Sequence, residues 1–460
     1  MKALASTLLS ALLVSAICLM TGAAQAQAVP SSPRDRGAIT CSPAPCVLPP
    51  KQVSEGGEEV TDTAIVADPL NPKHLLLGSE DFNCLSGMGF FTSLDGGSIW
   101  NRTCLEQNVG LWAPSYDPIV GYDRKGGMYI GGIYYRDGYS TGLVGVERST
   151  DGIQWSKPVR ALQEGSHPNE PWLAVDTNVG SPYLNSVYVS AVIVNDYYGL
   201  ERVYVSHSRD EGATWQPVSV APAQTGAAGD ANTTITVGKD GTVYVVWMYC
   251  DVGPYFCTNY KADMVFSKSS DGGNTWSFPT SITTVNLLPT LLPNTHVGIG
   301  NIPVVGVDAS NGPNSGNLYV AMYTWTGAYG QVQVSRSVDG GNTWLNPVPV
   351  APPSDNHDQF FPWLSVSPNG LVGVSWLDRR NDPANIDYQA FAAISSDGGQ
   401  TFPNVQLTTA FSNPNNNGGG DWMGDYTGNT WDGPNFFVAA WMDNSNGVNI
   451  QDVVGGIRLH

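Results

Sequence analysis

Short apolar segments separated by polar turns recur along the whole chain. They are rich in Val, Ile, Trp and Tyr, and their length of roughly five to eight residues is typical of β-strands rather than helices. One repeating unit contains four of them, at residues 361–366, 371–376, 388–395 and 402–407. Residues 171–176 are similar in sequence to its first segment, and residues 243–247 and 437–441 are similar to its second. The pattern predicts an all-β protein built from four-stranded units.

The turn before the fourth segment also repeats. A pattern of the form Ser-x-Asp-Gly-Gly-x-Thr-Trp occurs six times with some variation, and its aspartates are spaced 56 to 68 residues apart. In such a turn the Asp carboxylate accepts backbone N–H groups, glycines adopt positive φ, and the Trp begins the next strand. The six aspartates are Asp95, Asp151, Asp210, Asp271, Asp339 and Asp397.

These six copies resemble the Asp box, the bacterial neuraminidase repeat of sialidases and other β-propellers. The resemblance covers most of the chain and implies a propeller of four-stranded antiparallel blades. It further implies that each box joins the third and fourth strands of a blade, on the face opposite the active site. We therefore expect the boxes to be structural.

The number of repeating units predicts the number of blades. Units begin near Thr63, Ser115, Pro171, Thr233, Pro303, Phe361 and Tyr426, which favours seven blades, with six, the number in sialidases, as the alternative. The last unit has only three strands, and residues after about Cys41 are expected to add the fourth, because this closure leaves no open sheet edge. The predicted organisation is a signal peptide at 1–28, an N-terminal segment closing the last blade at 29–52, and the propeller at 53–460.

Charge narrows the range of partners. The chain has 40 Asp and Glu residues against 21 Lys and Arg, a formal net charge of −19. Nucleic acids and anionic membrane surfaces both require basic patches, so neither is an expected partner. Lys2, the apolar run 8–19 and the small residues at 24–26 are typical of a signal peptide. We therefore expect a secreted or periplasmic protein, and a monomer.

Six cysteines follow the predicted signal peptide. An even number in an oxidising compartment favours disulfides, and a zinc site is disfavoured because no histidine lies at ligand spacing. We expect neighbours in sequence to pair, namely Cys41 with Cys46, Cys84 with Cys104, and Cys250 with Cys257.

The predicted top face carries the candidate chemistry. Segment 420–428 combines acids, aromatics and glycines, and Glu170 precedes the first strand of another unit. Aromatic faces stack on sugar rings, and two carboxyl groups are the minimum for glycoside hydrolysis. Six second strands also end near an aspartate, which predicts a ring of acids at the channel mouth: Asp81, Asp137, Asp196, Asp251, Asp378 and Asp443.

Resemblance to sialidases implies more specific roles. Sialidases hold the substrate carboxylate with three arginines and use a tyrosine nucleophile, a supporting glutamate and an aspartate acid/base. The catalytic candidates here are Asp81, Glu170, Asp425 and Tyr426, and the substrate-binding candidates are Arg136, Arg379, Arg380 and Trp422. The Phe/Tyr-Arg-Ile-Pro motif of sialidases is missing, since Asn301-Ile302-Pro303 lacks the arginine.

Three functions remain open. The first is an exported sialidase-like glycosidase acting on sialosides or another glycan. The alternative is a non-catalytic propeller that binds a glycan or a protein, and a polysaccharide lyase is a more distant third. We expect no cofactor; calcium among the top acids remains an alternative, although no contiguous loop of oxygen ligands supports it.

Overall fold

The chain forms β-strands throughout the part that the structure describes. The computed structural model describes residues 41–136, 141–164, 167–195, 200–222, 224–225, 228–253, 256–288, 291–352, 356–418 and 420–460. Within these ranges the only helical element is a 3₁₀ turn at Thr258–Tyr260, which confirms the all-β class. No helix in them is long and apolar enough to cross a membrane. The predicted signal peptide lies outside these ranges and stays a prediction.

The strands form seven antiparallel sheets, which are the blades of a propeller. The first strand in sequence is β1 (Cys46–Gln52). Blade 1 contains β2 (Val60–Ala67), β3 (Leu75–Asp81), β4 (Met88–Ser93) and β5 (Asn101–Cys104). Blade 2 contains β6 (Ala113–Tyr122), β7 (Met128–Arg136), β8 (Thr141–Ser149) and β9 (Val159–Leu162). Blade 3 contains β10 (His167–Val175), β11 (Val187–Asn195), β12 (Leu200–Ser208), β13 (Gln216–Ser219) and the short β14 (Gln224–Thr225).

The remaining blades follow the same order. Blade 4 contains β15 (Ala228–Val237), β16 (Val243–Gly253), the short β17 (Phe256–Cys257), β18 (Lys261–Ser269) and β19 (Thr280–Asn286). Blade 5 contains β20 (Val304–Val307), β21 (Leu318–Trp325), β22 (Gly330–Ser337) and β23 (Leu345–Pro349). Blade 6 contains β24 (Gln359–Val366), β25 (Val372–Asp378), β26 (Gln389–Ser395) and β27 (Asn404–Gln406). Blade 7 contains β28 (Gly428–Asp432), β29 (Phe436–Asp443), β30 (Gln451–Arg458) and β1.

Both ends of the propeller domain meet in blade 7. Strand β1 pairs antiparallel with β30, with Val47 opposite Ile457 and Gln52 opposite Val453. The first strands of consecutive blades contact one another in a closed ring around a central channel. The prediction of seven blades is therefore confirmed, and the fourth strand of the last blade comes from the N-terminal side.

The core lies between the faces of neighbouring blades. Val144 and Val146 of blade 2, for example, pack in one buried cluster with Val187 and Val189 of blade 3. Because blades are covered on both faces, inner strands such as β3 are buried along their whole length. This explains why second strands such as β11 (Val187–Asn195) are apolar along most of their length rather than alternating between apolar and polar residues.

The six repeated turns each join the third and fourth strands of one blade, from blade 1 to blade 6. In blade 6, Asp397 Oδ1 accepts the backbone N–H groups of Gln400 and Thr401 at 2.9 and 3.0 Å. Ser395 Oγ accepts the N–H of Gly399 at 2.9 Å and donates to Asp397 Oδ1. Blade 7 has no such turn because its third and fourth strands are not consecutive in sequence.

The expected cysteine pairing is confirmed. The disulfides are Cys41–Cys46, Cys84–Cys104 and Cys250–Cys257.

Candidate active site

A backbone irregularity repeats where the innermost strands begin. In five blades the pairing between the first and second strands shifts register at this point, because the first strand carries a bulge. The residue two positions before regular pairing resumes has a positive φ of 44° to 57° in each. In blades 5 and 7 the corresponding residue also lies two positions before the first paired residue. In blade order these residues are Asp62, Asp117, Glu170, Asn232, Ile302, Phe361 and Tyr426.

This ring of equivalent positions divides into two halves. Three acids and an amide occupy consecutive blades 1 to 4, whereas apolar or aromatic side chains occupy blades 5 to 7. Positive φ is unfavourable for residues other than glycine, so all five bulges hold a strained backbone, and in blades 1 to 3 that backbone carries the acids Asp62, Asp117 and Glu170.

A cavity of about 390 Å³ opens against the acidic half of the ring. Four carboxyl groups and four aromatic rings line it, from blades 1, 2, 3 and 7: Glu80, Asp117, Glu170, Asp425, Phe82, Tyr116, Tyr135 and Trp422. A larger groove of about 670 Å³ lies at the outer rim between blades 6 and 7, where Asp443 is the one lining carboxyl and accepts hydrogen bonds from Ser445. The chemistry is therefore concentrated in the smaller, central cavity.

Hydrogen bonds between blades hold the carboxyl groups in place. The backbone N–H of Asp117 donates to Glu80 Oε1 at 3.3 Å, and that of Glu170 donates to Asp117 Oδ2 at 3.2 Å. The N–H of Asp425 donates to Asp62, which is buried below the cavity. Trp422 Nε1 donates to Asp425 Oδ2 at 3.1 Å. The carboxyls of Glu80, Asp117 and Asp62 thus each accept a hydrogen bond from the backbone of another blade.

Among the described residues that line this cavity there is no lysine, arginine or histidine. Burial and then the charge of neighbouring carboxylates raise the pKa values of Asp62, Glu80 and Glu170 well above their ordinary range. The same causes raise the pKa of Asp117 to about 7. Burial also raises the pKa of Asp425, but the indole N–H of Trp422 opposes that rise by stabilising the carboxylate. The acids therefore differ in how readily each ionises.

Tyr426 lies beside this cluster and is buried, with 2% of its surface exposed. Its hydroxyl has no hydrogen-bond partner within the described ranges. Burial, followed by the carboxyls of Asp62, Asp117, Glu170 and Glu80, raises its pKa well above the ordinary value. Its surroundings therefore favour the neutral phenol over the phenolate.

The structure brings four of the sequence-derived candidates together. Glu170, Trp422 and Asp425 line the cavity, and Tyr426 lies beside it. Three further acids, Asp62, Glu80 and Asp117, were missed. Two of them could have been found from a local pattern, because Asp62-Thr, Asp117-Pro and Glu170-Pro each place an acid immediately before Thr or Pro at the start of an inner strand.

The structure places Asp81 away from the cavity. Its side chain is fully buried, pairs with Arg102 Nε at 2.9 Å and accepts the N–H of Asn83 at 3.0 Å. Successive side chains of a strand point to opposite faces, so Glu80 lines the cavity and Asp81 faces the outer part of the blade. The other two described members of the predicted ring of second-strand aspartates also have local partners: Asp378 pairs with Arg380, and Asp443 accepts the N–H of Ser445.

Two members of that predicted ring, Asp137 and Asp196, and the side chain of Asp251 lie outside the described part of the chain.

The arginines also lie outside the cavity lining. Arg379 is fully buried, donates from Nη1 to the carbonyls of Pro293 and Asn385 at 2.8 and 3.1 Å, and lies 3.5 Å from Asp358. Arg380 pairs with Asp378 and stacks over Phe391, 4.4 Å from the ring centre. Arg136 stacks over Trp112 at 4.5 Å. An arginine clamp for a substrate carboxylate is therefore not assembled by these residues.

Comparison with known proteins supports the fold. No family model and no curated protein sequence matches the chain. A protein of unknown function from Dyadobacter fermentans DSM 18053 is similar in structure, with a TM-score of 0.51, 14% identity, and coverage of 91% of this chain and 100% of that one.

Two glycosidases are similar at a lower level. The Hadza microbial sialidase Hz136 has a TM-score of 0.47, 14% identity, and coverage of 84% of this chain and 75% of its own. The α-L-arabinofuranosidase arb93a of Fusarium graminearum has a TM-score of 0.46, 15% identity, and coverage of 77% and 94%. At such identities the likeness concerns the fold alone, and the fold of this chain is a seven-bladed β-propeller.

Proposed function

We propose that the protein is a glycoside hydrolase whose substrate carries no negative charge at the site of cleavage. The observation that carries this proposal is the central cavity, in which four carboxyl groups stand beside four aromatic rings. Glycoside hydrolysis needs one carboxyl that stays protonated as the acid and one carboxylate as the base or nucleophile.

The environments of two acids match these two roles. Glu170 is held in its protonated form by burial and by Asp117 and Asp425, so it is the proton donor to the leaving group. Asp425 receives the indole N–H of Trp422 at 3.1 Å, which favours its carboxylate, so it is the base or nucleophile. Groups whose pKa values are separated by their surroundings are the usual acid and base of such a pair.

Cleavage of sialosides is a poor fit to this site. The carboxylate of a sialic acid would meet Glu80, Asp117 and Asp425 with no basic side chain in the cavity lining to balance them. Tyr426 is neutral and surrounded by acids, which opposes the ionisation that a tyrosine nucleophile needs. Its hydroxyl is better suited to donate a hydrogen bond to a sugar oxygen.

The shape of the site favours removal of a terminal sugar. Trp172 and Trp363 meet below the acids, and Tyr426 packs against both rings, so the central channel is closed underneath the cavity. A site that is open on one side accommodates the end of a glycan chain more readily than its middle.

Hydrolysis of aryl glycosides tests the proposal. The mature protein should cleave at least one arabinofuranoside, hexoside or hexosaminide, and should not cleave an aryl sialoside. Glu170→Gln and Asp425→Asn should each reduce kcat by about 100-fold or more, the usual contribution of general acid–base catalysis. Asp421→Asn, at an exposed carboxylate four residues from Asp425, is the matched control and should retain activity.

Two outcomes would overturn it. Full activity in well-folded Glu170→Gln and Asp425→Asn proteins would remove the acid–base assignment. Glycan binding without turnover by the wild type would leave the non-catalytic propeller as the function.

Export and a monomeric state belong to the same proposal. Three disulfides join residues close in sequence, and disulfides persist mainly in oxidising compartments. We therefore place the protein outside the cytoplasm.

A further inference from the structure

The acid–base pair leaves two cavity carboxyls without a role. Glu80 and Asp117 both line the cavity, the backbone N–H of Asp117 donates to Glu80 Oε1 at 3.3 Å, and the charge of Asp117 raises the pKa of Glu80. Asp62 lies buried nearby, two positions before regular pairing in blade 1, as Asp117 does in blade 2. We propose that Glu80 and Asp117 bind the free ammonium group of an amino sugar at the glycan end. This inference rests on the proposed function, because it names the substrate class of the same site.

The charge balance of the cavity supports a cationic ligand. Glu80, Asp117, Glu170 and Asp425 face one space whose lining contains no basic side chain. Neighbouring carboxylates raise one another's pKa because their negative charges repel. An ammonium group among them would relieve that repulsion and be held by charge-assisted hydrogen bonds. The acidic chain, with a net charge of −19, also attracts cations to its surface.

A second feature beside the acids also indicates a missing partner. The Tyr426 hydroxyl is buried next to Asp62, Asp117, Glu170 and Glu80 and has no hydrogen-bond partner among the described residues. Leaving a buried hydroxyl unpaired is costly, so such a group is normally satisfied by a ligand or water. A sugar hydroxyl bound next to the ammonium would accept this hydrogen bond.

The form of the cavity favours an organic cation over a metal ion. Within the described ranges, no three acidic, histidine or cysteine side chains stand close enough to hold a metal. The carboxyls instead line a space of about 390 Å³, a volume suited to a small organic ligand.

The aromatic rings favour a sugar as the carrier of the charge. They form two edge-to-face pairs, Phe82 with Trp422 at 6.5 Å and Tyr116 with Tyr135 at 6.2 Å. All four rings line the same space as the acids. An aminohexose presents C–H groups to such rings and an ammonium to the carboxylates, which a bare cation cannot do.

Calorimetry with monosaccharides tests the inference without turnover, since monosaccharides have no glycosidic bond. D-glucosamine should bind the wild-type protein about tenfold more tightly than N-acetyl-D-glucosamine, the effect of one charge-assisted hydrogen bond. This preference should shrink as salt is added, because salt screens charge pairs. Asp117→Asn and Glu80→Gln should each remove most of the preference for D-glucosamine, because the ammonium group loses a charged partner, whereas Asp421→Asn should keep that preference.

Several results would overturn the inference. Two of them are equal affinity for the two sugars and a preference for glucosamine that survives both Glu80→Gln and Asp117→Asn. The others are tighter binding of ethanolamine than of glucosamine, and displacement of bound glucosamine by calcium at a calcium concentration below that of the sugar. Circular dichroism of each variant checks its folding, and the salt dependence of the wild type remains decisive if a variant fails to fold.

The two proposals can fail separately. Hydrolysis of uncharged glycosides without any preference for glucosamine would reject the amino-sugar inference and keep the glycosidase. Preferential glucosamine binding with no hydrolysis of any glycoside would reject the glycosidase and keep the amino-sugar inference.

Discussion

The indole rings of Trp172 and Trp363 lie 4.5 Å apart, although they belong to blades 3 and 6. Each stands two residues after the bulge position of its inner strand, one layer below the acids. Tyr426 of blade 7 packs against the two rings at 5.6 and 5.8 Å. These three side chains, from blades 3, 6 and 7, close the channel and form the floor beneath the carboxyl cluster.

Removing one ring of this floor should destabilise the protein. Trp363→Ala is expected to lower the free energy of unfolding by about 3–5 kcal/mol, as for other buried aromatic side chains. In a double-mutant cycle with Trp172→Ala, the coupling should be about 0.5–1.5 kcal/mol, because the two rings contact each other directly. This coupling energy is measured by denaturant unfolding of the wild type, both single variants and the double variant. A coupling of zero would contradict the observed contact.

Arg379 should contribute to stability rather than to ligand binding. Arg379→Met would leave the buried carboxylate of Asp358 without its cation and free the carbonyls of Pro293 and Asn385. The expected cost is about 3–5 kcal/mol, typical of breaking a buried ion pair. Thermal and denaturant unfolding measure this cost.

The control for this prediction is Arg160→Met, at an exposed arginine, which should change little. An Arg379→Lys protein of unchanged stability that no longer binds glycans would instead support the ligand clamp expected from the sequence.

The strand that closes blade 7 offers a matched pair of variants. Leu48 is fully buried in a cluster with Val438 and Val454, whereas its neighbour Val47 is 37% exposed. Leu48→Ala should cost about 2–5 kcal/mol of unfolding free energy, and Val47→Ala about 0.5 kcal/mol or less. Equal effects of the two variants would mean that β1 is not packed against the propeller as described.

Glu147 should make stability depend on pH. Its side chain is buried, Oε1 has no partner among the described residues, and burial raises its pKa from 4.5 to about 8. The folded state therefore favours the protonated form of Glu147. The free energy of unfolding has its full value below pH 4.5 and falls as the pH rises toward about 8. Glu147→Gln, which keeps the shape without the charge, should raise the melting temperature at alkaline pH and leave it unchanged in acid.

Melting curves across this pH range test the prediction, with Glu106→Gln at an exposed position as the control. An effect of Glu147→Gln that is the same at acid and alkaline pH would show that ionisation is not its cause.

Local patterns were sufficient for the fold. The repeated Ser-x-Asp turns place one hairpin per blade because the bonds that define them join residues no more than a few positions apart, such as Ser395 and Gly399. The three disulfides likewise close short stretches of chain. The missing fourth strand of the last unit also follows from counting strands along the chain.

The site required more than local patterns. Glu80 and Asp81 are adjacent in sequence, yet one lines the cavity and the other pairs with Arg102, since a shift of one residue moves a side chain to the opposite face of its strand. Sequence composition could not decide which of these two carboxyl groups lines the cavity.

The sequence by itself determined the all-β repeat, its turns and its disulfides, and it named four residues that lie together at the candidate site: Glu170, Trp422, Asp425 and Tyr426. Only the tertiary structure decided that Asp117 and Glu80 join them and that Arg379 is buried. The physical reason is distance along the chain. Turns and strands depend on neighbouring residues, whereas the burial and charge of a side chain at the channel depend on the closed ring, which brings blades 1, 2, 3 and 7 against one cavity.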